Sequence, residues 1–220
     1  MTTQEVTNGS PHRLTQAERT ALSDKKMFEA ATALILEKGT LNTTLKDIGE
    51  RAEYSRGLAS YRFGTKENLF RELLKRIERR WTNKFQAKMK DKRGLAAFQM
   101  TLKMFDTLIT EHTSAYRAAM LIRFETVSSS PETATRTRRV INLQRKQIAD
   151  WIREAREEGE LRGNIDPELF AISHISFLYG TMYQLVLAPE VIMDEKLVRN
   201  YFDAFIDCFG APDSKFSADW

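Results

Sequence analysis

Apolar residues recur every three to four positions along most of this chain of 220 residues, and this spacing predicts amphipathic helices. Phe28, Ala31, Leu34 and Ile35 form the first such stripe. Further helices are predicted over residues 45–52, 56–61, 66–92, 95–111, 114–127, 132–158, 166–187 and 195–209. The pattern lacks the two-residue alternation of a strand and therefore predicts an all-α fold.

Residues that favour helix ends separate these stripes. Gly39 stands where a helix end needs a residue free to adopt a positive φ angle, and Gly64 breaks the second short helix. Asp47 is placed to complement the first turn of a helix that begins after Thr44. Side chains suited to cap the helices that follow them occur at Thr44, Ser55, Thr65 and Asp166.

The N-terminal part of the chain is basic and the C-terminal part is acidic. Residues 1–93 carry 20 Lys and Arg against 12 Asp and Glu, a net charge of +8. Residues 94–220 carry 14 against 18, a net charge of −4, which leaves +4 for the whole chain. This asymmetry favours an anionic partner for the N-terminal part, with ordinary solvated surface as the alternative.

Composition narrows the class of protein further. The single cysteine, Cys208, excludes an internal disulfide, and His12, His112 and His174 are too far apart for a metal-ligand spacing. Neither a nucleophile motif nor a phosphate-binding glycine loop occurs. No run of about 18 apolar residues predicts a membrane span, and residues 1–11 lack a secretory signal. We therefore expect a cytoplasmic protein that has no metal or cofactor and binds no membrane, and the resemblance that follows implies that it is not an enzyme.

The short helices predicted over 45–52 and 56–61 form the arrangement of a helix-turn-helix, whose second helix enters the major groove of DNA. Residues 43–70 resemble the DNA-binding signature of the TetR family of transcriptional regulators. With the first helix and its Glu37-Lys38-Gly39 ending, the resemblance covers about residues 22–72. The residues that carry it are Thr43, Asp47-Ile48, Glu50-Arg51-Ala52, Ser55, Gly57, Phe63, Lys66-Glu67 and Leu69.

The resemblance implies an all-α homodimer. Its N-terminal three-helix helix-turn-helix domain binds a palindromic operator in double-stranded DNA, and its C-terminal helical domain binds a small organic effector and dimerises. We expect a disordered arm at 1–17, the DNA-binding domain at 18–65, the effector-binding and dimerisation domain at 66–210 and a flexible tail at 211–220. Release of a repressor by its effector is the usual behaviour of the family. Two alternatives are a regulator controlled by a protein partner and a helical ligand-binding protein without DNA binding.

Three positions depart from the family pattern. Glu53 stands where the family usually has Gly, so the turn must accommodate a side chain there. Tyr54 replaces a small aliphatic residue, and Ser60 replaces a common aromatic residue of the recognition helix. The base preference of relatives therefore does not transfer to this chain.

Basic and polar residues around the second helix are the candidates for DNA contact. Arg56 can bridge the O6 and N7 atoms of guanine, and Lys66 is expected to contact phosphate at a helix N-terminus. Tyr61 either contacts DNA or packs on the first helix, and Lys25 and Lys26 are candidates for outer phosphate contacts. The predicted DNA-binding residues are Thr44, Lys46, Ser55, Arg56, Gly57, Ser60, Tyr61, Arg62 and Lys66.

Aromatic residues, a methionine and one arginine on the middle helices are candidates for an effector pocket, although such residues also build ordinary cores. Arg123 lies on an otherwise apolar stretch, where it would bind an anionic effector or pair with an acid such as Glu125. His174 is either a polar group of the pocket or a core histidine. The predicted pocket residues are Phe98, Phe105, Met120, Arg123, Phe124, Trp151, His174, Phe177 and Tyr183.

The helix predicted over 166–187 is apolar nearly all round, which indicates burial on two sides. Residues 195–209 carry a broad apolar face, so the two helices can form a four-helix bundle with the same pair of a second subunit. A core within one chain is the alternative. The predicted interface residues are Ile175, Tyr179, Met182, Val186, Tyr201, Phe202, Phe205 and Phe209.

Overall fold

Helices form almost the whole structure, a computed structural model that describes residues 14–211 apart from 112, 130, 163 and 193–195. In chain order they are α1 (Gln16–Asn42), α2 (Leu45–Arg51), α3 (Arg56–Phe63), α4 (Lys66–Met89), α5 (Gly94–Glu111), α6 (Thr113–Ser129), α7 (Pro131–Glu157), α8 (Pro167–Leu187), α9 (Pro189–Ile192) and α10 (Leu197–Phe209). Extended pairing among the described residues is limited to a bridge between Leu161 and Gly210. The predicted all-α fold is confirmed.

Three of the four predicted capping residues cap the helices that follow them. Thr44 and Asp47 form a complete capping box before α2, Thr65 caps α4, and Asp166 caps α8. Ser55 has the extended backbone of an N-cap residue before α3, but its side chain makes no capping hydrogen bond. The hydroxyl group of Ser55 is therefore available for another partner.

Two glycines adopt the positive φ angles that the predicted helix ends require. Gly39 has a φ angle of 80° inside α1, so residues 40–42 continue beyond a kink, and Gly64 has a φ angle of 73° after α3. Chirality disfavours these angles for residues with a Cβ atom. The two glycines thus set the direction in which the chain enters α2 and α4.

The ends of the chain differ in detail from the predicted organisation. α1 begins at Gln16, two residues before the predicted domain boundary at 18, because Thr15 forms a capping box with Glu18. Residues 1–13 of the predicted arm and 212–220 of the predicted tail lie outside the described residues, as does residue 195. The short helix α9 was not predicted, although proline is well tolerated at a first helical position.

Two hydrophobic cores lie along the chain, and α4 and α6 take part in both. The N-terminal core joins α1 and α2 to Leu69 and Leu73 in the first half of α4 and to Ala118 and Ile122 of α6. The C-terminal core is built from α5, α7, α8 and α10, and Trp81 of α4 packs against it. Full burial of such side chains contributes roughly 1.5–3 kcal/mol each relative to exposure. α4 therefore connects the N-terminal helices to the C-terminal helices.

By length and composition alone, α8 could cross a membrane, which differs from the expectation that no segment would qualify. The helix packs against α5, α6 and α7, and a core helix of a globular protein meets the same criterion. Its apolar character is accounted for by the C-terminal core on one side and by an exposed face, described below, on the other.

Candidate DNA-binding and effector sites

The turn between α2 and α3 is built around a residue with an unusual backbone conformation. Glu53 adopts a φ angle of 64°, the left-handed region that glycine occupies most easily. The carboxylate of Glu53 accepts a hydrogen bond from Lys26 Nζ of α1 at 2.9 Å, which also lowers the pKa of Glu53. Lys26 lies over the ring of Tyr54. Glu53, which stands where the family usually has glycine, is therefore held to α1 by its ion pair with Lys26.

One face of α3 is open to solvent. Tyr61 is 88% exposed and so does not pack on α1, while Gly57 and Ser60 are exposed beside it. A Cβ atom added at Gly57 would meet no atom within 4 Å, so neither packing nor backbone conformation within the chain requires glycine there. Ala59 is fully buried on the opposite face. This face of α3 is thus free for an external partner.

Arg56 begins α3 next to this face. The structure places its backbone at the first helical position, but its side chain lies outside what the structure describes.

The end of α3 is held to α1 by a bidentate ion pair. Arg62 donates through Nε and one Nη atom to the two carboxylate oxygens of Asp24, each at 2.9 Å. This hydrogen bonding raises the pKa of Arg62. Because Glu53 precedes α3 and Arg62 lies near its end, pairs to α1 hold both ends of the helix. Asp24 and Glu53 act here in roles that sequence reasoning missed, since their partners are 38 and 27 residues away.

The remaining predicted DNA-binding residues surround α3 at helix termini. Lys66 donates to the backbone carbonyl groups of Thr40 and Leu41 at 3.1 and 3.3 Å and so holds the end of α1. Lys46 is exposed in the first turn of α2. Thr44 accepts from the Asp47 amide, and the hydrogen bond from Lys38 lowers the pKa of Asp47 to about 2.

The predicted pocket residues fall into three different environments. Phe98, Phe105, Met120, Trp151, His174 and Phe177 belong to the C-terminal core or pack against it. Phe124 and Tyr183 are exposed and pair edge to face at 5.7 Å between ring centroids. Arg123 is half-buried and pairs with Glu78 of α4.

His174 is a core histidine with one unsatisfied nitrogen. Its Nδ1 atom lies 3.1 Å from the hydroxyl oxygen of Tyr201, whereas its buried Nε2 atom has no hydrogen-bond partner. The ring packs edge to face on Phe98 at 4.9 Å. Burial lowers the pKa of His174 to about 3, so the imidazole is neutral near pH 7.

The residues predicted for the dimer interface lie mostly inside the chain's own C-terminal core. Ile175, Met182, Phe202 and Phe205 are at least 92% buried without a second subunit, and Tyr179, Val186, Tyr201 and Phe209 pack against them. The sequence of a helix that is apolar all round does not show which side packs against its own chain. The buried side of α8 was therefore predicted to face a second subunit. The exposed side of α8 carries Leu169, Ile172, Ser173, Ser176, Tyr183 and Leu187.

Together these features define a helix-turn-helix regulator with a helical C-terminal domain. Residues 28–73 match the family model of bacterial regulatory proteins of the tetR family, and residues 101–205 match the tetracyclin repressor-like C-terminal domain. The chain belongs to the TetR family. No curated protein matches it significantly.

Solved structures share the fold over most of their length. SmeT, the repressor of the Stenotrophomonas maltophilia multidrug efflux pump SmeDEF, is 22% identical, with a TM-score of 0.64 over 90% of this chain and 94% of that one. KstR2, a ketosteroid transcriptional regulator of Mycobacterium tuberculosis, is 19% identical, with a TM-score of 0.64 over 85% and 94%. NalD, the secondary repressor of the Pseudomonas aeruginosa pump MexAB-OprM, is 16% identical, with a TM-score of 0.63 over 92% and 100%.

Proposed function

We propose that this chain is a cytoplasmic transcriptional repressor that binds a palindromic operator as a homodimer and is released by a small organic effector. The observation that carries the proposal is the open face of α3, where Gly57, Ser60 and the exposed Tyr61 stand on the second helix of a helix-turn-helix. The repressors SmeT and NalD have the same fold, which supports repression as the direction of control.

On DNA, α3 would lie in the major groove, where base pairs are distinguishable. We assign Arg56, Gly57, Ser60 and Tyr61 to the bases and to close backbone approach. The phosphate contacts come from residues around α3, since such contacts position a protein on DNA without reading its sequence. These residues are Thr44, Lys46, Ser55, Arg62 and Lys66. Residues 18–65 thus form the DNA-binding domain, and residues 66–210 form the domain for effector binding and dimerisation.

Selection from a random duplex library tests the proposal directly. We expect an inverted repeat, and we expect Tyr61→Ala to weaken binding to the selected site by at least about thirtyfold relative to the wild type, because each of the two subunits loses a base contact of about 1–3 kcal/mol. Leu143→Ala, on the exposed face of α7, is the control and should leave binding unchanged. Equal affinity of the wild type for selected and random duplexes would refute the proposal.

The exposed side of α8 supports a dimer. Leu169, Ile172, Tyr183 and Leu187 are each at least 46% exposed and follow each other at helical spacing. A Cβ atom added at Gly180 in the same helix would meet no atom within 4 Å. A large apolar face of this kind is typical of an interface between subunits.

The two serines on this side of α8 are compatible with an apolar interface. Ser173 donates to the carbonyl oxygen of Leu169 at 3.0 Å, and Ser176 donates to that of Ile172 at 2.9 Å. Their hydroxyl groups are therefore satisfied within the helix, and burial by a second subunit would leave no donor unpaired. Their small size also permits a close approach of two helices.

Sedimentation velocity distinguishes this interface from the rest of the surface. Leu169→Glu should convert the dimer to a monomer at micromolar concentration, because it places a charge in the buried contact. Leu143→Glu is a matched control, since both leucines are 62% exposed on long helices. A monomeric wild type, or equal behaviour of the two variants, would contradict the assignment.

A further inference from the structure

A cluster of charged side chains joins α4 to α6 and α7. One carboxylate oxygen of Glu78 on α4 accepts a hydrogen bond from Arg123 of α6 at 2.9 Å. The other accepts from Arg136 of α7 at 3.2 Å. Both oxygens of Glu78 are thus engaged by different helices. Two guanidinium groups meet one carboxylate, so the cluster has an excess positive charge.

The charge of Arg123 acts on two partly buried tyrosines, Tyr116 of α6 and Tyr179 of α8, and the charge of Arg80 acts more strongly on the first of them. Burial raises the pKa of Tyr116 to about 12 and also raises the pKa of Tyr179, while the positive charge of Arg123 opposes both rises. Both phenols are therefore neutral hydrogen-bond donors near pH 7. Trp81 packs edge to face on Tyr116 at 5.8 Å and extends the apolar wall to Phe85.

We propose that Arg123 is the anchor of the effector site and that its ligand is an apolar molecule bearing a carboxylate, which displaces Glu78. This inference rests on the function proposed above. A guanidinium binds a carboxylate through two parallel hydrogen bonds, whereas Arg123 now makes one such bond to Glu78. The ligand carboxylate would complete this pairing, the two tyrosines would donate to it, and the aromatic wall would cover its apolar part. Glu78 would keep Arg136.

Displacement of Glu78 would reach the DNA-reading helix through α4. Glu78 lies twelve residues after Lys66, a distance of about 18 Å along the helix axis. α4 follows α3 after only Gly64 and Thr65, and Lys66 holds the end of α1. Loss of the pair to Arg123 removes a link between α4 and α6. The ligand would thereby favour a position of α4 in which the two α3 helices of a dimer no longer match the operator.

Two probes of equal shape and different charge test the ligand class. Naphthalene-2-carboxylate and naphthalene-2-carboxamide are titrated against the wild-type dimer by calorimetry and against its operator complex by fluorescence anisotropy. We expect the carboxylate alone to bind and to weaken the operator complex by about tenfold, within the usual range of allosteric coupling. Arg123→Met, which keeps the aliphatic stem but also breaks the pair to Glu78, should bind operator about tenfold more weakly than the wild type and show no further response to the carboxylate. Equal effects of the two probes, or no effect of either at millimolar concentration, would overturn the proposal.

A second variant tests the displacement without any probe. Glu78→Gln keeps the shape of the side chain and removes its charge, so it should weaken operator binding by about tenfold and bind the carboxylate more tightly. Glu72→Gln is the control, because Glu72 lies on the same helix and its carboxylate pairs with the nearby Lys75 of that helix. Equal operator affinity of the two variants would refute the role of Glu78. Failure of the wild type to bind any operator would instead refute the proposed function.

Discussion

Arg62 offers the sharpest test of how α3 is held on DNA. The guanidinium uses Nε and one Nη atom for Asp24, which leaves the other Nη atom free to donate, and its side chain is 43% exposed. Arg62 can therefore keep its ion pair and contact an operator phosphate at the same time. Arg62→Ala removes both interactions, and Asp24→Ala removes the ion pair alone.

The expected magnitude follows from counterion release. Each phosphate contact contributes about 0.9 to the slope of log K against log salt, so loss of one contact in each subunit flattens the slope by about 1.8. When the salt concentration rises from 50 to 200 mM, the loss of operator affinity should therefore be roughly twelvefold smaller for Arg62→Ala than for the wild type. The exposed ion pair itself stabilises the domain by only about 0.5 kcal/mol.

Anisotropy titrations of the operator at four salt concentrations measure this slope. Arg62→Ala should lose affinity mainly at low salt, whereas Asp24→Ala should keep the wild-type slope or steepen it, because it leaves Arg62 with no neutralising partner. An unchanged slope for Arg62→Ala, with equal losses of affinity for both variants, would show that Arg62 only positions α3 and does not contact phosphate.

Three further predictions concern stability and charge. Lys66→Met should lower the free energy of unfolding by about 1 kcal/mol, because the carbonyl groups of Thr40 and Leu41 lose their donor. It should also flatten the salt dependence of operator binding, whereas Lys46→Met should change only that salt dependence. Urea denaturation measures the first effect and operator titration at several salt concentrations measures the second. His174 has a folded-state pKa of about 3, below its ordinary value. The unfolded state therefore binds a proton that the folded state excludes, so stability should fall as the pH drops below about 6.5. His174→Phe should abolish that fall between pH 7 and 5, and an identical pH dependence in both proteins would contradict it. Glu53→Gly should be more stable than Glu53→Ala by about 1 kcal/mol in urea denaturation. Both variants lose the pair to Lys26, but only alanine keeps a Cβ atom that disfavours the left-handed backbone conformation at this position. Equal stability of the two variants would show that the turn carries no such strain.

Local features of the fold were predictable because their causes lie within a few residues. The capping box of Thr44 and Asp47 spans three positions, and the positive φ angles of Gly39 and Gly64 follow from the absence of a Cβ atom. Ser55 shows the limit of this reasoning. Its sequence context suits a capping residue, yet the side chain makes no capping bond, because the rotamer of a serine depends on more than its neighbours in sequence.

The long helices, their order and the helix-turn-helix were predictable from the sequence, since helical periodicity and caps act over one or two turns. The tertiary structure was needed to identify Glu78 as an acid that pairs with Arg123, because Glu78 lies 45 residues away and a sequence neighbour such as Glu125 offered the same chemistry. It also decided which side of α8 faces solvent. An apolar helix can bury either side, and the packing of α5, α7 and α10 takes one of them and leaves the stripe from Leu169 to Leu187 exposed.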